Sequence, residues 1–194
     1  CEEGWDGRQP DEVWIDSGFE APAVYSFIRS AGERYRPTKG WAAGGFQSGR
    51  YHKPTKVGPE VRFIGEQYHF SKQSKDRVTL VHIDADHWKT RSHQRLTMGL
   101  GESGAIRLFQ ATPNEHITYA RHLTAEKQVE EWIPGTGSVV RWEKIRKANH
   151  FFDATELAIV AGHHLGCRIL PESHTEPAPQ PLSSWFAGQK RVRR

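Results

Sequence analysis

Two apolar, β-prone runs in this chain each end in aspartate and lead into a helix-forming segment. The run over residues 13–16 closes on Asp16, and the run over residues 78–83 is followed by Asp84 and Asp86. Strand, tight turn and helix in this order place a side chain at the carboxyl edge of a sheet, as is typical of α/β domains. A carboxylate at such an edge costs desolvation free energy unless a cation compensates it. The sequence therefore predicts an α/β domain with an acidic site at one edge of its sheet.

A third aspartate, Asp153, lies on an apolar segment that predicts a helix. If Asp16, Asp86 and Asp153 converge, they form a hard-oxygen site for Mg²⁺ or Mn²⁺, suited to phosphodiester hydrolysis by two ions about 3.5–4 Å apart. Asp84 is expected to share one face of a continuing strand with Asp86, so either residue or both qualify as ligands. The alternative is that Asp16 and Asp86 only cap turns and that Asp153 faces solvent.

Lys89 follows Asp86 by three residues and is a further catalytic candidate. A lysine near a metal site can contact the scissile phosphate or stabilise the negative charge that develops on it. An exposed lysine on the surface of a helix is the alternative interpretation.

Hydrophobic periodicity and turn residues predict the remaining elements. We expect helices over residues 20–35, 87–98, 124–129 (capped by Thr124) and 149–165, strands over 13–16, 61–64, 78–83, 106–109 and 139–142, and a loop over 37–59 with a short strand near Trp41.

The chain has 194 residues, which predicts one domain over residues 1–170 and a Pro-rich linker with a basic tail over 171–194. It starts without Met, and we expect it to be part of a longer protein. No run of about 20 apolar residues is present, so a membrane is not an expected partner. Two cysteines are too few for a disulfide framework. A net charge of +4 gives mild support to a polyanionic partner.

Three other classes of site fit the sequence poorly. A Walker phosphate loop and a Gly-x-Gly-x-x-Gly motif are absent, which excludes nucleotide hydrolysis by this chain. Ser48 and Ser103 lack the Gly-x-Ser-x-Gly elbow of a serine hydrolase. Structural zinc normally takes four Cys or His ligands at recognisable spacing. The candidate zinc ligands form two sets, His82, His87 and His93, or His163 and His164 with Cys167, and each set has only three residues.

Several short segments of the chain resemble, in the same order, the nuclease domain of the lambda-type (GpA family) phage terminase large subunit. They are Ile15-Asp16-Ser17-Gly18 with Val24-Tyr25-Ser26-Phe27, Lys39-Gly40, Asp86-His87-Trp88-Lys89 closing on Arg95-Leu96, the turn and strand over 104–109, Leu123-Thr124-Ala125-Glu126, and Trp142-Glu143-Lys144 leading into Asn149-His150-Phe151-Phe152-Asp153.

The resemblance implies a ribonuclease H-like α/β fold, with a mixed central sheet flanked by helices. It also implies an Mg²⁺- or Mn²⁺-dependent endodeoxyribonuclease that cuts concatemeric double-stranded DNA by two-metal hydrolysis. Asp16 is expected to bridge both ions, Asp86 and Asp153 to complete one each, and Lys89 to orient the phosphate or the attacking water. The position of Lys89 in the family motif favours Asp86 over Asp84 as the second ligand.

The resemblance further implies partners for such a domain. These are double-stranded DNA, the ATPase motor domain of the same subunit, the small terminase subunit and the portal, in the cytoplasm of an infected or lysogenic host cell. Basic residues near aromatic residues suit contacts to DNA phosphates. The candidates are Lys39, Arg50, Lys53, Lys144 and Lys147, with a plain solvated loop as the alternative for the first three.

The sequence departs from the family pattern around the last aspartate. His150 stands where the family has Glu, and Ala154-Thr155-Glu156 follow Asp153 where the family has Cys and then Val-Tyr. The alternatives are therefore a catalytically weakened module that binds DNA or docks the motor, and another ribonuclease H-like nuclease such as a resolvase or transposase core.

Overall fold

The computed structural model describes residues 7–42, 66–99, 101–135 and 137–167. In chain order the elements are β1 (Val13–Asp16), α1 (Ala21–Ala31), β2 (Tyr35–Trp41), β3 (Tyr68–Gln73), β4 (Val78–Asp84), α2 (Ala85–Thr97), α3 (Pro113–Leu123), β5 (Glu126–Ile133), β6 (Gly137–Lys144) and α4 (His150–His164).

The central sheet has four strands in the order β1-β2-β4-β3. Strands β1, β2 and β4 are parallel, and β3 is antiparallel to β4. The register pairs Asp16 with Thr38, and Thr38 with Val81. Strands β5 and β6 form a separate antiparallel hairpin in which Glu126 pairs with Lys144. A mixed sheet flanked by helices confirms the predicted α/β class and is compatible with a ribonuclease H-like fold.

The core lies between the sheet and the helices α2 and α4. Its buried members are Trp14, Tyr68, Val81, Ile83, Trp88, Val160 and Ala161. Because side chains alternate between the two faces of a strand, Asp16 lies on the same face as Trp14, which is the face covered by α4. The parallel strands β1, β2 and β4 end at one edge of the sheet. The core packing holds α2 and α4 next to the strand ends that carry aspartates.

The junction between β4 and α2 decides how two of the predicted ligands are placed. Asp84 is the last residue of β4 and caps α2, because its Oδ1 accepts a hydrogen bond of 3.0 Å from the backbone N–H of His87. Asp86 lies in the first turn of α2. The expectation that Asp84 and Asp86 share one face of a continuing strand is therefore wrong.

The predicted elements near β2 also need correction. Helix α1 ends at Ala31, where Gly32 has a φ of 98°, so the prediction that the helix continues to Tyr35 is wrong. Tyr35 instead begins β2, which confirms the short strand predicted near Trp41 and extends it back over residues 37–40, where a loop is predicted. Strand β2 lies between β1 and β4, and hydrogen bonds from both neighbours outweigh the weak strand preference of its Pro and Gly residues.

Two further predictions are wrong. Residues 106–109 form no regular strand, and Thr124 ends α3 instead of starting a helix over residues 124–129. Helix α3 and strands β3 and β5 are additions to the predicted elements. Helix α3 carries a capping box of Thr112 and Glu115, a local start signal.

Several predictions lie outside the described residues, namely the strand over 61–64, most of the loop up to 59, and the tail over 171–194. Within the described ranges, none of the helices has the length and apolar character needed to cross a bilayer.

Candidate functional site

A buried lysine is the centre of the candidate site. Lys89 lies on the inward side of α2 and is only 8% exposed. Its Nζ donates to both carboxylate oxygens of Glu126, at 2.9 and 2.8 Å, and lies 2.9 Å from Oδ1 of Asp153. Glu126 begins β5 and Asp153 lies in the first turn of α4. Three separate elements therefore meet at one ammonium group.

Asn149 holds the two carboxylates in place. Its Nδ2 donates to Oε1 of Glu126 at 2.6 Å and to Oδ2 of Asp153 at 2.7 Å. Asn149 directly precedes α4 and is 1% exposed. Buried charged groups in a fully bonded network are fixed in orientation, so Lys89, Glu126 and Asp153 present one defined geometry.

A third carboxyl group, that of Glu156, lies one turn further along α4 and is also buried. Burial raises the pKa of Glu156 well above its usual range; Lys89 opposes this shift, and the carboxylates of Asp153, Glu126 and Asp84 add to it. The carboxyl group of Glu156 therefore holds its proton more tightly than an exposed glutamate does. Burial alone would lower the pKa of Lys89, but the nearby carboxylates outweigh it and the pKa is raised, so the ammonium stays charged.

Asp86 connects α2 to the β5–β6 hairpin. It is 7% exposed, and its Oδ1 accepts a hydrogen bond of 2.8 Å from the backbone N–H of Trp142 in β6. The indole of Trp142 donates to Oγ1 of Thr90 at 3.0 Å and packs edge-on against Phe152 of α4. Asp86 is thus a buried carboxylate at the junction of α2, α4 and the hairpin.

Asp16 lies at the carboxyl end of β1 and is exposed. Its Oδ1 accepts a hydrogen bond of 2.9 Å from the backbone N–H of Gly18. The turn is anchored by buried Ser17, whose hydroxyl donates to the carbonyl of Thr38 at 2.7 Å. Helix α4 runs antiparallel to β1, since His164 at its end lies 4.0 Å from Glu12 just before the strand. The first turn of α4 is therefore directed toward the end of β1 that carries Asp16.

The donor set agrees in kind with a hard divalent cation, because it consists of carboxylate oxygens. Among the residues that the structure describes, however, no three His, Cys, Asp or Glu side chains are arranged to hold a metal ion. The cation between Glu126 and Asp153 is the ammonium of Lys89. The metal ligands predicted from sequence, Asp16, Asp86 and Asp153 with Asp84 as a further candidate, remain a prediction.

The structure brings Asp153 and Lys89 into direct contact, as two members of the predicted set. It adds Glu126, Asn149 and Glu156, which the sequence patterns do not single out. Glu126 and Asn149 lie within the motifs that carry the family resemblance, so their presence there is an available signal. The only sequence signal for Glu156 is that it is an acidic residue on the apolar side of a helix.

The predicted DNA contacts are distributed over two regions. Lys39 lies on β2, exposed, with its Nζ 4.4 Å from the ring centre of Trp41. Lys144 ends β6 opposite Glu126, and Lys147 lies in the loop before α4; both are exposed. They adjoin the Lys89 cluster, which consists of Lys89, Glu126, Asn149 and Asp153. Arg50 and Lys53 lie outside the described residues.

The histidines considered for zinc have protein partners. His82 accepts a hydrogen bond of 3.0 Å from the indole of Trp41, and Nε2 of His163 lies 3.2 Å from a carboxylate oxygen of Glu66. These contacts fit structural roles on the sheet and on α4, and they give no support to a zinc site.

Comparison with known proteins gives one match. A family model for the terminase large subunit gpA, endonuclease domain, matches residues 2–175. No curated protein and no solved structure matches the chain. The matched range contains Lys89, its carboxylate partners and all four candidate aspartates. The chain therefore belongs to the family of terminase large subunit gpA endonuclease domains.

Proposed function

We propose that this domain is an Mg²⁺- or Mn²⁺-dependent endonuclease that cuts concatemeric double-stranded DNA during viral DNA packaging. Family membership supports an endonuclease acting on DNA. The structural observation that carries the proposal is the buried ammonium of Lys89, held by Glu126 and Asp153 beside buried Asp86. Buried ionisable groups that meet from several elements, with perturbed pKa values, are typical of a reaction centre.

The proposed ligands of the divalent ions are Asp16, Asp86 and Asp153, with Asp84 as a further candidate. Divalent ions held by these carboxylates would supply Lewis-acid stabilisation of the phosphate and would lower the pKa of an attacking water. The charged ammonium of Lys89 stabilises the negative charge that grows on the phosphate in the transition state.

The remaining buried groups orient this machinery. Glu126 and Asn149 hold Lys89 and Asp153 in place, so little reorganisation is needed when DNA binds. The raised pKa of Glu156 favours its neutral form, which limits repulsion among the carboxylates. Packing of Trp142 on Phe152 keeps the hairpin against the centre.

The wider setting is part of the same proposal. Family membership supports, in general terms, a DNA substrate and a role in DNA-packaging machinery. The specific partners that we propose are the ATPase motor domain of the same subunit, the small terminase subunit and the portal, in the cytoplasm of the host cell.

Cleavage of supercoiled plasmid DNA tests this function. The wild-type chain should nick the plasmid with Mn²⁺ or Mg²⁺ and not with EDTA. Asp153→Asn and Asp86→Asn should each lower the rate by about 100-fold or more, as expected for groups that stabilise the transition state. Asp76→Asn, in the turn between β3 and β4, is the matched control and should keep the wild-type rate. Full cleavage by Asp153→Asn would overturn the assignment.

Two other results would favour the rival functions. Salt-sensitive binding of duplex DNA with no cleavage under any divalent ion would indicate a DNA-binding or motor-docking module. Cleavage restricted to branched substrates, with linear duplexes untouched, would indicate a resolvase-type enzyme.

A further inference from the structure

Cationic side chains cluster where the last turn of α3 meets the loop that leads into α4. We call this cluster the α3–α4 basic surface; it comprises Arg121, His122, Arg146, Lys147 and His150. All but the half-buried His122 are exposed.

The two parts of the α3–α4 basic surface are held together by direct contacts. The imidazole of His122 stacks on the ring of Phe151 with centroids 4.4 Å apart and planes 26° apart, and its Nδ1 accepts the backbone N–H of Phe151 at 3.3 Å. The rings of His122 and His150 lie 5.9 Å apart. The end of α3 and the start of α4 are therefore packed together, which places the basic residues that flank His122 and Phe151 next to each other.

The loop between β6 and α4 is also fixed. The backbone N–H groups of Ile145 and Arg146 both donate to the carbonyl of buried Ala125, at 2.8 and 3.0 Å. The guanidinium of Arg146 donates to Oγ1 of Thr124, the residue that ends α3, at 3.2 Å. Arg146 and the neighbouring Lys147 are therefore displayed from an anchored backbone, which lowers the entropy cost of binding a ligand.

The charge of this surface is not neutralised locally. Within the part of the chain that the structure describes, none of Arg121, Arg146 and Lys147 forms an ion pair. The nearest acidic groups along the chain have other partners, since Glu126 and Asp153 bind Lys89 and Glu143 pairs with Lys127. Three permanent positive charges and two histidines thus face solvent together.

The α3–α4 basic surface adjoins the Lys89 cluster through one residue. Asn149 lies between Lys147 and His150 in the chain, and its side chain bonds both Glu126 and Asp153. We infer that this surface binds the phosphate backbone of the duplex next to the bond that is cut, which rests on the proposed endonuclease function. Such contacts position the duplex without reading its sequence, and they release counterions.

Charge reversal at matched sites tests the inference. Arg121→Glu with Lys147→Glu changes the net charge by four units at the surface. Lys72→Glu with Lys75→Glu makes the same change on exposed residues of β3 and the β3–β4 turn, at the amino end of β4 and away from the carboxyl ends of the parallel strands. Binding of a duplex of about 30 base pairs is measured by fluorescence anisotropy in EDTA, from about 50 to 200 mM NaCl. EDTA separates binding from cleavage.

The surface pair should weaken binding by about tenfold or more and reduce the slope of log K against log salt by about 1.8, because two phosphate contacts are lost. The control pair should change binding by less than about threefold, through long-range charge alone. Equal weakening by both pairs, no weakening by the surface pair, or no binding by the wild type would overturn the inference.

The result is separable from a failure of the proposed function. If the wild type cuts plasmid DNA but the two pairs behave alike, the inference fails and the function stands. If the wild type does not cut but the surface pair selectively loses binding, the function fails and only duplex binding by the α3–α4 basic surface stands. If thermal melts show that the Arg121→Glu, Lys147→Glu variant is unfolded, the Arg121→Ser, Lys147→Ser variant is compared with the Lys72→Ser, Lys75→Ser variant, and the same criteria apply.

Discussion

Replacement of Lys89 by methionine should destabilise the protein strongly in the absence of divalent ions. Methionine retains the length of the side chain and removes the ammonium. Glu126 then loses a cation that bonds both of its carboxylate oxygens, and Asp153 loses one contact. Asn149 still donates to each carboxylate, but it carries no charge.

The magnitude follows from the burial of the groups left behind. The side chain of Glu126 is 1% exposed, and that of Asp153 is 34% exposed. Loss of one partner from a buried ion pair costs about 3–5 kcal/mol, and the partly hydrated Asp153 adds little to this. We expect a loss of about 3 kcal/mol in the free energy of unfolding, or about 6–12 °C in Tm for a chain of this size.

Urea denaturation in EDTA at neutral pH measures the loss. Lys127→Met is the matched control, because Lys127 also pairs with a glutamate but both side chains are more than half exposed. It should cost less than about 0.5 kcal/mol. The double variant Lys89→Met with Glu126→Gln should recover most of the loss, since no unpaired carboxylate then remains at Glu126.

A Lys89→Met variant within about 0.5 kcal/mol of the wild type would refute the reasoning, because it would show that the buried ammonium does not compensate the carboxylates. So would a Lys127→Met variant that loses as much stability as Lys89→Met.

Three further changes have defined outcomes. The folded-state pKa of Glu156 is raised above its unfolded value of about 4.5, so the wild type loses stability as pH rises above that value. Glu156→Gln, which has no proton to take up on folding, should therefore be more stable than the wild type at neutral pH. Urea denaturation in EDTA should show that gain vanishing below about pH 4.5, and a gain that grows on acidification would contradict it. His150→Glu should weaken duplex binding several-fold in the anisotropy assay with little change in Tm. Increased metal-dependent cleavage by this variant would indicate instead that the family's glutamate is a metal ligand that this chain lacks. Gly18→Ala places a Cβ 3.2 Å from Oδ1 of Asp16, so it should shift that flexible carboxylate. The variant should lower plasmid nicking by about tenfold with a stability cost below about 1 kcal/mol. Unchanged nicking would argue against a role for Asp16.

Local signals are sufficient for the elements that carry the aspartates. Strand β4 is a run of apolar, β-prone residues, and Asp84 ends it by capping α2. Helix α4 has apolar residues at helical spacing and ends before Gly166, which has a φ of 91°. These features act within a few residues of each other, so the sequence alone determines them.

Strand β2 shows why other elements are not predictable from local sequence. Pro37, Lys39 and Gly40 favour a loop, yet β1 and β4 supply hydrogen-bond partners on both sides of this segment. The strand exists because of pairing between distant parts of the chain, and such pairing overrides local preference. Helix α3 is a different case, because the capping box of Thr112 and Glu115 is a local start signal from which the helix is predictable.

The same distinction applies to the candidate site. Lys89 and Asp153 are in contact, and both lie in motifs that carry the family resemblance, so the sequence identifies them as candidates. The bond from Lys89 to Glu126 spans 37 residues and depends on how β5 docks. Because local sequence favours a helix over residues 124–129, it gives no indication that Glu126 is directed toward Lys89.

The most direct test of the central claim, that Asp16, Asp86 and Asp153 hold divalent ions beside Lys89, is calorimetric titration of the chain with Mn²⁺. We predict that the wild type binds Mn²⁺, that Asp153→Asn weakens binding by about tenfold or more, since one charged ligand is lost, and that Asp76→Asn leaves binding unchanged. Equal Mn²⁺ affinities for Asp153→Asn and the wild type, or no binding by the wild type, would contradict the claim.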